Sequence, residues 1–191
     1  MSLAKISRVE GFIDALKAGV EDMETARHGC YINEKNLIRS MPKTLIRHAS
    51  PTDFGDLLDI DQSSFSHGVA YDASELSYFM NRSGAETIVL EEDGHIVAFL
   101  ILEVHRTRRS GTIVTLDVRQ SHRRQGYGTL LLNRAEDILS QYGVEAYDLQ
   151  VDVTNHGAIT FYKRHGFRTI RTLPAYYANG HDAYLMVKDL M

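Results

Sequence analysis

The chain has 191 residues, 43% of them hydrophobic, with 21 Lys and Arg against 25 Asp and Glu for a formal net charge of −4. That length suits one domain with a sizeable core and is short for two. The near balance of charge argues against a dedicated nucleic-acid binder, which needs an excess of Lys and Arg over one face.

No run approaches the roughly 18 apolar residues of a membrane span, and the opening "MSLAKISRVEGF" lacks the apolar core and cleavage site of a secretion signal. A cytoplasmic protein that does not engage a membrane is expected. The single cysteine, Cys30, excludes an intramolecular disulfide and a paired-cysteine zinc pattern. His122, His156 and His165 read as loop or surface residues rather than ligands, so no metal is expected.

Residues 1 to 40 read as a helical extension, because Ile6, Val9, Phe12, Ile13, Leu16 and Val20 recur at helical spacing. Covering the domain, mediating homodimer contacts and being dispensable are all open to it. The domain itself is expected over residues 41 to 191. It begins with Met41, which could also serve as a start, then Pro42, a short apolar strand and a helix of about residues 52 to 64 with its start signal at Asp53. A second helix is expected near residues 73 to 82. Two apolar runs, "AETIVLEED" and "HIVAFLILEVH", meet at Asp93-Gly94, a strong hairpin signal. The strand "GTIVTLDV" follows, then a basic glycine-containing loop and a helix over residues 127 to 142 that Gly143 ends. The strand "AYDLQVDV", a helix opened by Thr154 or Asn155 and closed by Gly166, and the strands "FRTIRTL" and "DAYLMVKDL" complete the chain. This order predicts a mixed sheet with helices on both sides.

The stretch "LDVRQSHRRQGYGTLLL" is a strand, a turn and a helix start. Gly126 and Gly128 permit positive φ and close backbone approach, so unpaired N–H groups of the first helical turn can face a concavity. The helix dipole, Arg123 and Arg124 make that turn suited to a pyrophosphate. Arg106, Arg108, Arg109 and Arg119 add positive charge nearby in the chain. The pattern is neither a P-loop, which needs Gly-Lys-Ser/Thr, nor a full dinucleotide fingerprint.

Arg123-Arg124-Gln125-Gly126-Tyr127-Gly128 resembles the Arg/Gln-x-x-Gly-x-Gly/Ala signature of the GNAT acetyltransferases, and "NHGAITFYKRHGF" is similar to their Asn-x-x-Ala-x-x-Phe/Leu-Tyr-x-x-x-Gly-Phe helix. Within the superfamily, "YYANGHDAYLM" resembles the ending of ribosomal-protein alanine N-acetyltransferases and other protein N-terminal acetyltransferases. The resemblance implies an α/β fold with a central, mostly antiparallel, splayed sheet of about seven strands flanked by helices. It implies acetyl-CoA as co-substrate, bound by Leu116, Asp117, Val118, Arg123 to Thr129, Asn155 and Tyr162. It further implies a protein or peptide N-terminus as acceptor, closed over by Tyr176 and Tyr177 and by the segment "SFSHGVAYD"; a small amine, or acyl-CoA binding without catalysis, are the competing readings.

Acetyl transfer from a thioester needs a neutral amine, a stabilised oxyanion and a proton for the departing thiolate. By the resemblance, Tyr162 is the general acid and an N–H near Val118 the oxyanion donor. The family's basic Glu falls at Gln150, an amide with no useful basicity. Asp152, on the same strand face as Gln150, and Asp117, on the neighbouring strand, are candidate bases. A third reading is that the base is weakly needed, because an α-amine of pKa about 7.7 to 8.0 is already partly neutral at pH 7.

Overall fold

The computed structural model describes residues 42–65 and 69–190. The extension predicted for residues 1 to 40, and residues 66–68 of the expected substrate-covering segment, lie outside these. The elements are β1 (Thr44–His48), α1 (Phe54–Ser64), α2 (Ala73–Asn81), β2 (Ala85–Glu92), β3 (His95–His105), β4 (Ser110–Val118), α3 (Tyr127–Gln141), β5 (Ala146–Asp152), α4 (His156–Arg164), β6 (Arg168–Leu173) and β7 (Ala183–Asp189). The predicted helix start near Asp53 is shifted slightly, since Pro51–Asp53 forms a 3-10 turn and α1 follows it. Proline is tolerated there because the first N–H of a helix needs no partner.

The seven strands form one sheet in the order β1-β2-β3-β4-β5-β7-β6. All neighbours are antiparallel except β4 and β5, whose parallel pairing requires the crossover that α3 supplies. The β2–β3 hairpin closes with Glu92 opposite His95 and with Asp93 and Gly94 at φ +50° and +84°. Positive φ at both central residues matches the right-handed twist of the flanking strands, which is why Asp-Gly marks the turn. Every residue of β3 from Ile96 to Val104 is buried. The strand has helices over both faces, and its apolar run from Ile96 to Leu102 follows from that.

Leu131, Leu132, Ala135 and Ile138 of α3 and Ile159 and Tyr162 of α4 pack on one sheet face. Leu57 and Ile60 of α1 and Leu76 of α2 pack with Val89, Phe99 and Ile101 on the other. None of the described helices is long and apolar enough to cross a membrane.

Two irregularities position the site. Ile101 pairs with Thr115 and Leu102 with Ile113, so Val114 is an extra residue in β4, a bulge that bends the strand. β4 and β5 are paired only from Ser110–Ala146 to Ile113–Leu149. Beyond that point Val114–Val118 and Gln150–Asp152 run apart, and the sheet opens in its middle. β7 pairs with the whole of β5, setting Ala183 opposite Asp152, so the loop before β7 lies at the open end of β5.

Candidate active site

The opening between β4 and β5 leads into two connected arms. One, of about 740 Å³, is basic and runs past Arg123, Arg124, Gly126, Gly128, Thr129 and Arg164. The other, of about 320 Å³, is aromatic and amide-lined, with Val69, Tyr71, Gln150, Asp152 and Tyr177 in its walls. Ser64, Phe65, Leu116, Asn155, Ala158 and Tyr162 line both. Those six residues mark where a ligand in one arm meets a ligand in the other.

The basic arm is built by the start of α3. Gly126 precedes the helix at φ +88°, offers no side-chain cap, and no acidic residue occupies the first turn. Unpaired N–H groups therefore remain there for an anion, with the helix dipole in their favour. A methyl group added to Gly126 would meet nothing within 4 Å, so the space before the turn is open. Of the positive φ and the close approach expected of Gly128 the structure has the second: it lies inside the helix, and a Cβ there would sit 3.3 Å from Phe161 Cζ and 3.5 Å from Leu116 Cδ2. It lets α3 approach α4 and β4 closely.

Other residues of the signature divide between arm and scaffold. Arg123 Nε donates to Val118 O at 3.1 Å, holding the turn against the strand end, while Arg124 adopts φ +67°. Gln125 Nε2 donates to Ser121 O at 3.4 Å. The Tyr127 hydroxyl donates to Glu92 Oε1 at 2.6 Å, and that bond, with burial, pushes the phenol up to about 12. Its side chain is thus anchored in the fold. Thr129 Oγ1 lies 3.1 Å from His165 Nε2, and His165, in the turn that follows α4, is a wall of the arm. Asn155 Oδ1 accepts from Ala158 N at 3.0 Å and caps α4, and the residue lines both arms. Uncapped N–H groups, open space before Gly126 and two arginines fit the pyrophosphate of a CoA thioester.

At the junction, Tyr162 is 8% exposed and its hydroxyl has no hydrogen-bond partner among the described residues. Burial, then Asp117 and Tyr177, raise its phenol well above the ordinary value, so it stays protonated. Arg119 N donates to Val97 O on β3 at 2.8 Å. Successive strand amides point to opposite edges, so the N–H of Val118 faces the gap beside the junction. Asp117 lies along the basic arm, not the aromatic one, with its carboxylate accepting from Thr115 Oγ1 at 2.8 Å. Burial and the Asp61 carboxylate push Asp117 up to about 8, against Thr115 and Arg123.

In the aromatic arm, Gln150 Oε1 accepts from the Tyr176 hydroxyl at 3.2 Å, and its Nε2 donates to Asp148 Oδ1 at 3.1 Å. The Tyr177 hydroxyl reaches Gln150 O at 3.5 Å. Asp152 does lie along the arm, but both of its oxygens are used. Oδ1 accepts from Thr154 N and Oγ1, each at 2.7 Å, and Oδ2 faces His181 Nδ1 at 2.8 Å. Burial raises the Asp152 carboxyl, and the Thr154 and His181 hydrogen bonds outweigh it and hold the group below the usual carboxylate range. His181 and Asp61 carry no signal in the sequence: their partners are set by strand order and helix packing. Among the described residues no group of three or more His, Cys, Asp or Glu could hold a metal ion.

Residues 54–167 match the family model described as the acetyltransferase (GNAT) family. A protein of Sulfurisphaera tokodaii named N-alpha-acetyltransferase is 30% identical over 160 residues, covering 76% of this chain and 92% of its own length. The crystal structure of Ard1 from Thermoplasma volcanium superposes with a TM-score of 0.71 at 25% identity, covering 78% of this chain and 98% of that one. The ribosomal-protein-S18-alanine N-acetyltransferase of Escherichia coli gives a TM-score of 0.69 at 25% identity, over 77% and 94% of the two chains. An uncapped helix start facing a gap between two parallel strands, a buried tyrosine at its inner end and these similarities agree: the chain belongs to the acetyltransferase (GNAT) family.

Proposed function

We propose that this chain moves the acetyl group of acetyl-CoA onto the α-amine of a protein or peptide N-terminus, by direct attack of the amine on the thioester, and that it does so in the cytoplasm. The observation that carries the reading is the shared wall of the two arms, with the unpartnered hydroxyl of Tyr162 in it. The catalytic unit of this reading is residues 41 to 191, with residues 1 to 40 an extension to it.

Acetyl-CoA supplies an acyl carbon activated as a thioester. The chain supplies the rest. The first turn of α3 with Arg123 and Arg124 suits the pyrophosphate, and the Asn155 side-chain amide lies beside the path of the donor. The Val118 N–H is aimed where negative charge develops on the carbonyl oxygen. Tyr162 gives its proton to the departing sulfur. Its raised pKa is no obstacle, because the same burial disfavours the thiolate it protonates.

An N-terminal amine fits the aromatic arm better than a polyamine does. Asp152 is the one charged group in that wall among the described residues, and its charge is already matched by His181 and Thr154. An α-amine with a pKa of about 7.7 to 8.0 is roughly a tenth neutral at pH 7, whereas a lysine amine near 10.4 is far less so. The name of the Sulfurisphaera tokodaii relative supports the same acceptor. Tyr176 and Tyr177, tied to Gln150, would close over the acceptor's first residue.

Thiol release from acetyl-CoA with a panel of N-terminal peptides, beside polyamines and free amino acids, tests this. Turnover confined to peptides supports the reading, and turnover confined to polyamines overturns it. Acetyl-CoA binding by calorimetry without turnover on any amine would make the chain a binding module instead.

A further inference from the structure

Asp117 lies along the basic arm with its carboxylate bonded to Thr115, not in the aromatic arm that takes the amine, so the proposed reaction leaves one proton without a destination. Gln150 stands where the resemblance places a carboxylate, and its amide has no basicity. Asp152 is a poor substitute, because a carboxylate accepting three hydrogen bonds and held below its ordinary range does not compete for a proton. A carboxylate so satisfied is a good anchor. What it anchors is His181.

The imidazole Nδ1 lies 2.8 Å from Asp152 Oδ2. A ring nitrogen facing a carboxylate carries the hydrogen, which leaves the lone pair on Nε2. That nitrogen has no partner among the described residues. The His181 carbonyl accepts from Tyr177 N at 3.1 Å and its N–H donates to Asn179 Oδ1 at 3.0 Å, so the backbone is fixed as well as the ring. Asp152 and Tyr177, its two neighbours, are both walls of the aromatic arm. The ring is 46% exposed and so meets solvent beside these two wall residues. Charged and titratable groups around it are Asp152 from β5, Tyr177 from the same loop, and Asp182, whose carboxylate is turned away to accept from Ala175 N at 2.9 Å. Among the described residues no Lys or Arg pairs with this group.

We propose that His181, oriented by Asp152, accepts the proton that the acceptor amine sheds, directly or across one water. The inference rests on the acetyl-transfer reading and assigns its missing base. In the step, the N–C bond forms as the C–S bond breaks. The Tyr162 hydroxyl proton goes to sulfur and the surplus amine proton to His181 Nε2. Exchange with solvent at the half-exposed ring releases that proton, and solvent restores one to the Tyr162 oxygen. Asp152 acts through the ring as a positioning residue.

The test is thiol release with an accepted peptide, followed against pH. His181→Gln keeps a polar side chain and removes the base. It is expected to lower kcat roughly a hundredfold, to leave the KM for acetyl-CoA unchanged, and to reduce the acidic limb of the kcat/KM profile to the ionisation of the peptide amine alone. Added imidazole is expected to restore part of the rate to His181→Ala, an effect a purely structural role would not give. Asp152→Asn should lower the rate less, and the double variant should be no slower than His181→Gln alone, because both changes remove one function. Wild-type kcat and an unaltered pH profile in His181→Gln would overturn the assignment while leaving the transfer reading intact. A wild-type protein that binds acetyl-CoA and acetylates no amine overturns the transfer reading, and the assignment with it.

Discussion

Asp117 on β4 lies within the field of Asp61 on α1, and both carboxyl groups are buried. Burial is the larger cause in each case, raising Asp61 to about 6 and Asp117 to about 8. Asp61 accepts from Tyr71 N at 2.7 Å through one oxygen, and its Oδ1 has no partner. In the unfolded chain both groups ionise near 3.9. The folded chain therefore keeps protons that the unfolded chain has already lost, and this pair's contribution to stability falls as pH rises from about 4 to about 8. It is intact below the unfolded value and is lost first through the Asp61 value and then through that of Asp117. Asp117→Asn keeps an acceptor for Thr115 and removes the upper part of the loss. Urea denaturation should find the variant more stable than wild type above pH 8 and no more stable below about pH 4. Equal stabilities at high pH would contradict the assignment of the raised group.

Tyr162→Phe should separate chemistry from packing. The ring is buried against Phe161 and Phe167, with centroid distances of 5.2 and 5.4 Å, and the hydroxyl bonds to no described residue. Removing the oxygen leaves the packing in place, so the melting temperature should hold while kcat falls roughly a hundredfold or more. Calorimetry with CoA should give an affinity close to wild type. Full turnover in this variant would remove Tyr162 from the role of acid.

Gly126 and Gly128 should fail differently on conversion to alanine. At Gly126 the new methyl group is free of contacts, but φ of +88° strains any other residue by about 1–2 kcal/mol. Stability should drop by that amount. At Gly128 alanine favours the helix by about 1 kcal/mol while crowding Phe161, so stability should change little. Because Phe161 lines the basic arm, the affinity for CoA should fall all the same. Denaturation curves and calorimetry on the two variants distinguish backbone strain from lost room.

Arg124→Asn tests the charge of the basic arm with little backbone cost, since asparagine tolerates the φ of +67° found there. Loss of one charge-assisted contact of about 1.5 kcal/mol corresponds to roughly tenfold weaker CoA binding at low salt. The difference between variant and wild type should shrink as salt rises. A salt-independent difference would mean that Arg124 acts through the turn's conformation.

Most of the architecture was legible because each element carries a local signal. The Asp93-Gly94 turn, the alternation of β5 and the glycines closing α3 and α4 each report a conformation fixed within a few residues. The basic arm was legible for the same reason, being one turn and one helix start. What the chain did not announce depends on pairing across long separations. β7 inserts between β5 and β6, and this alone brings His181 to Asp152, 29 residues away in sequence. The crossing of α1 under β4 joins Asp61 to Asp117, and nothing in "DIDQSSF" marks that aspartate as buried. Of the two properties expected of Gly128, the close approach is found and the positive φ is not, and its neighbour Phe161 could not be read locally because it lies on another helix.

The separation of β4 from β5 beyond Ile113 and Leu149 leaves a row of strand amides without a partner strand, in the interior of a sheet rather than at its rim. An extended ligand bearing its own amides, if laid along Leu116 and Val118 as the proposed function has it, would stand in for the absent strand. The folded protein would then be completed by what it consumes. By mass action, a donor present at a hundred times its Kd adds about 2.7 kcal/mol to folding. The resistance of this chain to unfolding would therefore rise and fall with the supply of its acyl donor.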